Sequence, residues 1–321
     1  MKSIAVLTSG GDAPGMNPCI RAVVRTALFH GKTVYGIREG YKGLLEGKIE
    51  PMEARQVGGI LQMGGTVLGT ARTPELYTEE GQIKAAKIFK ASGIEGLVVI
   101  GGDGSMRGAQ TLMKHGLKVV GIPASIDNDI WGTHMSLGVD TALNTIQEAI
   151  DKLRDTASSH RRAFIIETMG RNCGYLAVMA GVIGGAEVVL IPEAEMSVEE
   201  VAESVEGAYY RGKTHSIIIV AEGASVKAQE LAQSLKEMTV GFRTRVTILG
   251  HIQRGGRPSA FDRLLATRMG VKATDALLAG QSDVMVALQG RNIELVSLDK
   301  VVSQQRAANL EYYEMCKMLA F

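Results

Sequence analysis

At 321 residues the chain is long enough for two domains, or one large α/β unit, with an ample core. Its 35 lysines and arginines against 34 acids leave a net charge of +1, which argues against the basic footprint of a sequence-independent nucleic-acid binder. Three widely spaced cysteines suit reduced thiols better than a disulfide frame, and the longest apolar stretch, residues 176–191, is broken by Glu187 and three glycines and falls short of a membrane span.

The opening apolar run, residues 3–7, has no cleavage-site pattern behind it and reads as a strand, not a signal peptide. It breaks at Thr8-Ser9-Gly10-Gly11-Asp12-Ala13-Pro14-Gly15, and apolar residues at helical spacing follow at Ile20, Val23, Val24, Ala27 and Leu28. Gly10 and Gly11 let backbone amides approach a phosphate on the way into a helix N-terminus. Neither GK[ST] nor GxGxxG is present, so phosphate contact and a merely tight turn stay equally open. Arg21 and Arg25 share a helix face, which by itself reads as a solvated basic stripe. Residues 32–37 form a second strand, and 40–57 show little periodicity. A second glycine-rich loop runs from Met63-Gly64-Gly65 to Ala71-Arg72-Thr73, with Arg72 as its only cation, ahead of a helix over 81–91.

Residues 97–129 organise the chain. Two apolar runs, 97–100 and 119–122, each end in an acid-bearing turn: Gly101-Gly102-Asp103-Gly104-Ser105, then Ala124-Ser125-Ile126-Asp127-Asn128-Asp129. Apolar run, amphipathic segment, apolar run is a strand–helix–strand unit of a parallel sheet. Ligands of such sheets sit at the carboxyl ends of the strands, so three carboxylates beside a glycine turn point to a metal–phosphate site with a carboxylate to spare.

A helix is expected from about 140 to 158, then strands over 163–168, 188–191, 216–221 and 246–249, each followed by a turn or helix. The turns carry chemistry: Met169-Gly170-Arg171, Glu222-Gly223, and Gly250-His251-Ile252-Gln253-Arg254-Gly255-Gly256. Arg211, Lys213 and His215 form a basic cluster. A helix to 278, a hairpin over 284–288 and 293–298 and a terminal helix complete the chain. This is βα repeated about eight times, an α/β protein with mainly parallel sheets, read as two similar Rossmann-like three-layer domains facing across a cleft. Acids gather in the first half and cations (Arg162, Arg171, Arg245, Arg254) with His251 in the second, the charge layout of a phosphoryl-transfer cleft.

The motifs Leu7-Thr8-Ser9-Gly10-Gly11-Asp12-Ala13-Pro14-Gly15-Met16-Asn17, Gly101-Gly102-Asp103-Gly104-Ser105, Ile126-Asp127-Asn128-Asp129, Met169-Gly170-Arg171 and Leu249-Gly250-His251-Ile252-Gln253-Arg254-Gly255-Gly256 occur in this order over nearly the whole chain. In this the sequence resembles the bacterial ATP-dependent 6-phosphofructokinases. The resemblance implies transfer of the γ-phosphoryl group of ATP to the 1-hydroxyl of fructose 6-phosphate in the cytoplasm. It implies domains of 1–138 with 251–305 for ATP and metal, and 139–250 with 306–321 for the sugar phosphate. Asp127 would be the base; Gly11, Arg72, Ser125 and Arg171 would act on the transferring group. ATP would lie on Gly11, Arg72, Thr73, Gly102, Asp103, Gly104, Ser105 and Gly108, with Mg²⁺ on Asp103 and Asp129. Fructose 6-phosphate would meet Ser125, Asp127, Met169, Gly170, Arg171, Glu222, His251 and Arg254, with Arg162 and Arg245 reaching it from a neighbouring subunit of a homotetramer. ADP or phosphoenolpyruvate would bind as effector at Arg21, Arg25, Arg154, Glu187, Arg211, Lys213 and His215. The resemblance implies neither a nucleic-acid nor a membrane partner.

The chain departs from the family pattern at several places. Tyr77 replaces a common basic residue, Met106 the tyrosine after GGDGS, Tyr175 the usual Asp after MGRxxG, and His134 another Asp; Gly59 and Met63 stand where Asp and Arg are typical. Two other readings are a pyrophosphate-dependent member of the superfamily and a catalytically silent sugar-phosphate sensor. Gly104 and Ala124, in place of the Asp and Lys of the pyrophosphate class, speak against the first. The presence of Asp103, Asp127 and Arg72 speaks against the second.

Overall fold

The computed structural model describes residues 1–160 and 162–320, the side chain of His160 excepted. The chain divides into two compact units, Met1–Ile126 with Ile130–Thr141 and Arg254–Gln305, and Asp127–Asp129 with Ala142–Gln253 and Arg306–Phe321. The first holds β1 (Ser3–Ser9), α1 (Met16–Phe29), β2 (Thr33–Ile37), α2 (Gly40–Glu46), β3 (Ile49–Pro51), α3 (Glu79–Ala91), β4 (Gly96–Gly101), α4 (Asp103–Lys114) and β5 (Val119–Pro123). The helix α5 (Val139–His160) starts there and leads into the second unit, with β6 (Arg162–Thr168), α6 (Tyr175–Gly184), β7 (Val188–Leu190), α7 (Val198–Tyr210), β8 (Ser216–Ala221), α8 (Ala228–Met238) and β9 (Arg243–Ile248). The chain returns to the first unit for α9 (Ala260–Leu278), β10 (Val284–Gln289), β11 (Asn292–Ser297) and α10 (Leu298–Ser303), and ends in the second with α11 (Leu310–Leu319).

The first unit is built on a seven-stranded sheet in the order β11-β10-β5-β4-β1-β2-β3, parallel in its middle with an antiparallel pair at each end. Its central strands are apolar without interruption because both faces are covered. Ala5, Leu7, Leu97, Val99 and Val119 pack under Leu44, Phe89, Met106, Leu112 and Val301 of α2, α3, α4 and α10. The alternate residues Ile4, Val6, Val98 and Ile100 are equally buried on the other face, where α1 and α9 lie. The two helices approach closely at Gly270, where a Cβ would strike Ala22.

The second unit carries a four-stranded, all-parallel sheet, β7-β8-β6-β9, with Ile165, Ile218 and Val220 packed against Val201 and Val205 of α7 and Leu231 and Leu235 of α8. The mainly parallel α/β architecture expected from the repeating pattern is what is found. Within 40–57, where the sequence shows little periodicity, the structure has α2 and β3. The hairpin β10–β11 closes at Gly290, whose φ of 60° is the left-handed turn a glycine supplies, and Gly290 N–H donates to His134 Nδ1. His134 is therefore a loop fastener.

The three thiols are free and buried. Burial pushes Cys173 up to about 12 and Cys316 up to about 11, and Cys19 higher still.

Candidate active site

The first unit has a topological switch point. From β1 the chain moves through α1 to β2 on one side, while β4 leads through α4 to β5 on the other, so the crevice opens at the carboxyl ends of β1 and β4. A cavity of about 340 Å³ lies there. It is lined by Gly11, Gly102, Gly104 and Ser105 of the glycine turns, by Thr73, Leu76, Tyr77 and Gln82, and by Tyr41, Gly108 and Thr111. The glycines have separate reasons. A Cβ at Gly101 would overlap the Ser9 carbonyl, and one at Gly108 would run into the Tyr41 ring. Tyr41 is buried, which raises its phenol well above the ordinary value, and its hydroxyl donates to the Ser105 carbonyl at 2.6 Å. A Cβ at Gly104 would meet nothing closer than the Tyr77 hydroxyl at 3.9 Å, so the cavity is open at this position.

Helix α4 begins at Asp103 with no side-chain cap, so its first turn offers backbone N–H groups to an anion. Arg107 Nε donates to Asp103 Oδ2 at 2.9 Å. Among the described residues no three His, Cys, Asp or Glu side chains form a metal cage. A Mg²⁺-type ion carried by nucleotide phosphates needs only one or two carboxylates, so Asp103, set between two cavity-lining glycines, fits that use. Met106 does not face the cavity: it is fully buried against Gly121, and its replacement of tyrosine is a change in the core.

The loop bearing Arg72 is fastened to this crevice by residues that the loop's own sequence does not announce. Buried Asn17 donates from Nδ2 to the carbonyls of Met63 (3.2 Å) and Gly64 (3.0 Å) and accepts from Val67 N–H at 2.8 Å. Thr8 donates to the Gly69 carbonyl at 2.9 Å, and Thr70 donates to that of Gly10 at 2.6 Å. The exposed Arg72 sits between two lining residues, Ala71 and Thr73. Arg254 is in the same unit: its guanidinium covers Gly11, where any Cβ would overlap it, and Nη1 donates to the Asp12 carbonyl at 3.3 Å.

In the loop after β5 the side chains alternate. Ile126, Asn128 and Ile130 are buried; Ser125, Asp127 and Asp129 are half-exposed between them. Asn128 has a φ of 52°, the left-handed conformation that Asn tolerates better than most residues.

The second unit gathers three loops at the carboxyl ends of the adjacent strands β8, β6 and β9. Glu222 N–H donates to Thr168 O at 2.8 Å, Gly223 N–H to Gly170 O at 3.2 Å, and Leu249 N–H to Glu167 O at 3.0 Å. Fully buried Gln253 accepts from Met169 N–H and donates to Gly250 O, tying the first loop to the third. Gly223 must lack a side chain because a Cβ would overlap the Arg171 carbonyl. Met169, Gly170, Arg171, Glu222 and His251 are thus brought together. Arg162 and Arg245 are not: Arg162 opens β6, at the opposite end of the strand, and the register Arg162↔Arg243, Phe164↔Arg245 puts the two arginines on one face near that end.

Four of the residues expected at the effector site, Arg154, Glu187, Lys213 and His215, are hydrogen-bonded in the second unit. Lys213 Nζ donates to Glu187 at 3.3 Å and to the Ala320 carbonyl at 2.9 Å, and the other Glu187 oxygen accepts from Ile217 N–H. Arg154 bonds the Gly184 and Gly185 carbonyls and His215 Nε2 at 3.1 Å. An arginine only donates, so Nε2 is the acceptor, and the ring proton on Nδ1 faces Thr214 Oγ1 at 3.2 Å. Burial, then the Arg154 charge, lowers the His215 pKa, which keeps this tautomer neutral. Glu187 and Arg211 border a cavity of about 400 Å³ that reaches Tyr313 and Lys317 of α11. Arg21 and Arg25 lie on α1 in the first unit.

Tyr41, Gln82 and Thr111 escape a reading by motif because they reach the cavity from the helices α2, α3 and α4, one residue each. Asn17 lies inside a motif, yet its role depends on partners about fifty residues away.

Comparison with known proteins agrees with this geometry. Residues 3–277 match the family model described as Phosphofructokinase. The chain is 53% identical over 321 residues, covering all of both chains, to an ATP-dependent 6-phosphofructokinase of Thermotoga petrophila. Among solved structures it resembles a Pichia pastoris phosphofructokinase in the T-state, with a TM-score of 0.90 and 38% identity over 94% of this chain and 35% of that one. A pyrophosphate-dependent phosphofructokinase from Marinobacter aquaeolei, at 22% identity, a TM-score of 0.87 and coverage of 97% and 86%, shares the fold. With the switch-point cavity, the glycine turns and a match over the greater part of its length, the chain belongs to the phosphofructokinase family.

Proposed function

We propose that this chain is an ATP-dependent 6-phosphofructokinase, which transfers the γ-phosphoryl group of ATP to the 1-hydroxyl of fructose 6-phosphate. The observation that carries the choice of donor is the open wall of the switch-point cavity at Gly104, where a nucleotide has room and an acid side chain would not leave it. The nucleotide's phosphates meet the backbone of Gly11 and the first turn of α4, with Thr73, Gly102, Gly104, Ser105 and Gly108 around the rest of it. Such transfer needs positioning and charge neutralisation more than covalent help. Asp127 takes the proton of the 1-hydroxyl as that oxygen attacks the γ-phosphorus and ADP leaves. Arg72, Ser125 and Arg171 hold the charge of the moving group.

Asp103 and Asp129 would hold the divalent metal, Mg²⁺, whose charge would offset that of the phosphates. The sugar phosphate is held by Met169, Gly170, Arg171, Glu222, His251 and Arg254. Arg162 and Arg245 serve the neighbouring subunit of a homotetramer. The unit-two cluster of Arg154, Glu187, Arg211, Lys213 and His215, with Arg21 and Arg25, receives ADP or phosphoenolpyruvate as effector. The setting is the cytoplasm; no described helix is long and apolar enough to cross a membrane. Purified protein assayed for fructose 1,6-bisphosphate with ATP and with pyrophosphate tests the reading. Faster turnover with pyrophosphate would overturn it, and Gly104→Asp should suppress the use of ATP.

A further inference from the structure

Between the two half-exposed acids of the loop after β5 stands Asn128, with no solvent exposure and a left-handed backbone. The direction in which Asp127 and Asp129 leave the chain depends on that one residue's φ and ψ. An asparagine tolerates this conformation but does not require it, so something must hold it there.

Its side chain is hydrogen-bonded to the hydroxyl of Tyr175, the first residue of α6. The guanidinium of Arg306 covers the Tyr175 ring, 5.5 Å from its centroid, and the Arg306 backbone N–H points at the Asp129 carbonyl at 3.4 Å. One residue thus touches both the tyrosine and the far side of the turn. The frame is closed by Glu193, whose carboxylate accepts from Gly174 N–H at 3.0 Å, just before the tyrosine, and from Ala308 N–H at 2.7 Å, just after the arginine. Gly174 has to be a glycine, since a Cβ would overlap Glu193 and Ile191. Burial raises the Tyr175 pKa, so the hydroxyl keeps its proton.

We propose that Tyr175 and Arg306 are positioning residues for phosphoryl transfer: they lock Asn128 in its left-handed conformation and so aim Asp127 and Asp129. The proposal rests on the kinase reading above. Tyr175 is one of the places where this chain departs from the family pattern, so the motif itself does not supply this hydroxyl.

The test is steady-state kinetics with ATP and fructose 6-phosphate, together with calorimetric binding of fructose 6-phosphate and thermal melting, on the wild type and its variants. Tyr175→Phe removes only the hydroxyl. It should lower kcat about ten-fold, with the KM of each substrate and the sugar-phosphate Kd within about two-fold and an unmoved melting temperature. Arg306→Ala should act in the same direction, and the double variant should fall little further, because the two act through one lock. In an Asn128→Gly background, where no amide remains to be held, Tyr175→Phe should have no further effect. Unchanged kcat in Tyr175→Phe would overturn the proposal. So would a joint loss of kcat, binding and melting temperature, or a full ten-fold effect persisting in the Asn128→Gly background. A wild type inactive with these two substrates would defeat the kinase reading, visible before any variant is made, and the brace's role with it.

Discussion

Asp127 stands half-exposed between two buried neighbours, Ile126 and Asn128, and this setting decides what its replacement should do. Asp127→Asn keeps the shape of the side chain and the buried anchors on either side but cannot accept a proton. It should lower kcat by about two to four orders of magnitude while leaving the Kd for fructose 6-phosphate nearly unchanged, measured by calorimetry beside initial rates. Near-normal turnover would remove Asp127 from its role. The acid itself is legible in the sequence because it lies in a short run of polar residues after an apolar strand. The residue that holds its neighbour is not: Tyr175 shows in the sequence only as a departure from a pattern, and its bond to Asn128 crosses almost fifty positions. Met106 is the converse. It sits beside the glycine turn in sequence, yet it is on the inward face of α4 with Ala109 and Leu112, a spacing of three that places it in the core.

Elements are positioned by a few buried polar groups. Asn17 on α1 makes three hydrogen bonds to the 63–67 loop. Asn17→Ala should cost about 1–3 kcal/mol in urea unfolding, from orphaned backbone groups, and should raise the KM for ATP because the loop carrying Arg72 is freed. An unchanged KM would show that the loop keeps its place without the staple. Asp262 plays a similar part between α9 and α5. Its fully buried carboxylate accepts from Gly138 N–H and Thr141 N–H, both at 2.9 Å, and from the Thr141 hydroxyl at 2.6 Å, at the start of α5. Burial raises its pKa above the ordinary 3.8 despite those donors. Between the ordinary and the raised value the native state therefore binds more protons than the unfolded state, so this residue's contribution is largest in acid and declines as pH rises through the window. Asp262→Asn, which turns an amide N–H₂ towards donors, should destabilise by about 1–3 kcal/mol, with the gap from wild type wider near pH 4 than at pH 7. A gap independent of pH would refute the linkage. Strand–helix alternation is readable from apolar periodicity, but α2 is not. It opens on Gly40 after Glu39, with a left-handed φ of 57°, and is only seven residues long; its Tyr41, Leu44 and Leu45 are helical because they pack into a core built from distant strands.

At the scale of the whole molecule, two arginines stand apart from the other residues expected to hold the sugar phosphate. Arg162 and Arg245 sit away from the loops at the carboxyl ends of β6, β8 and β9, on a face of the edge strand β9 and its neighbour. If each completes a neighbour's site, Arg162→Ala and Arg245→Ala should each raise the half-saturation for fructose 6-phosphate strongly and that for ATP little. Mixing Arg162→Ala with Asp127→Asn subunits should restore activity above either parent, because hybrid assemblies pair an intact arginine with an intact base; a fully active monomer at high dilution would exclude the arrangement. The buried thiols have a separate use. Cys19 belongs to the first unit, Cys173 and Cys316 to the second, and all three are shielded from a water-borne reagent with burial holding their protons on. The native enzyme is therefore a silent background for alkylation: the rate at which each cysteine becomes labelled clocks the opening of its own unit, and mass spectrometry of the tagged peptides would record the two clocks in a single tube.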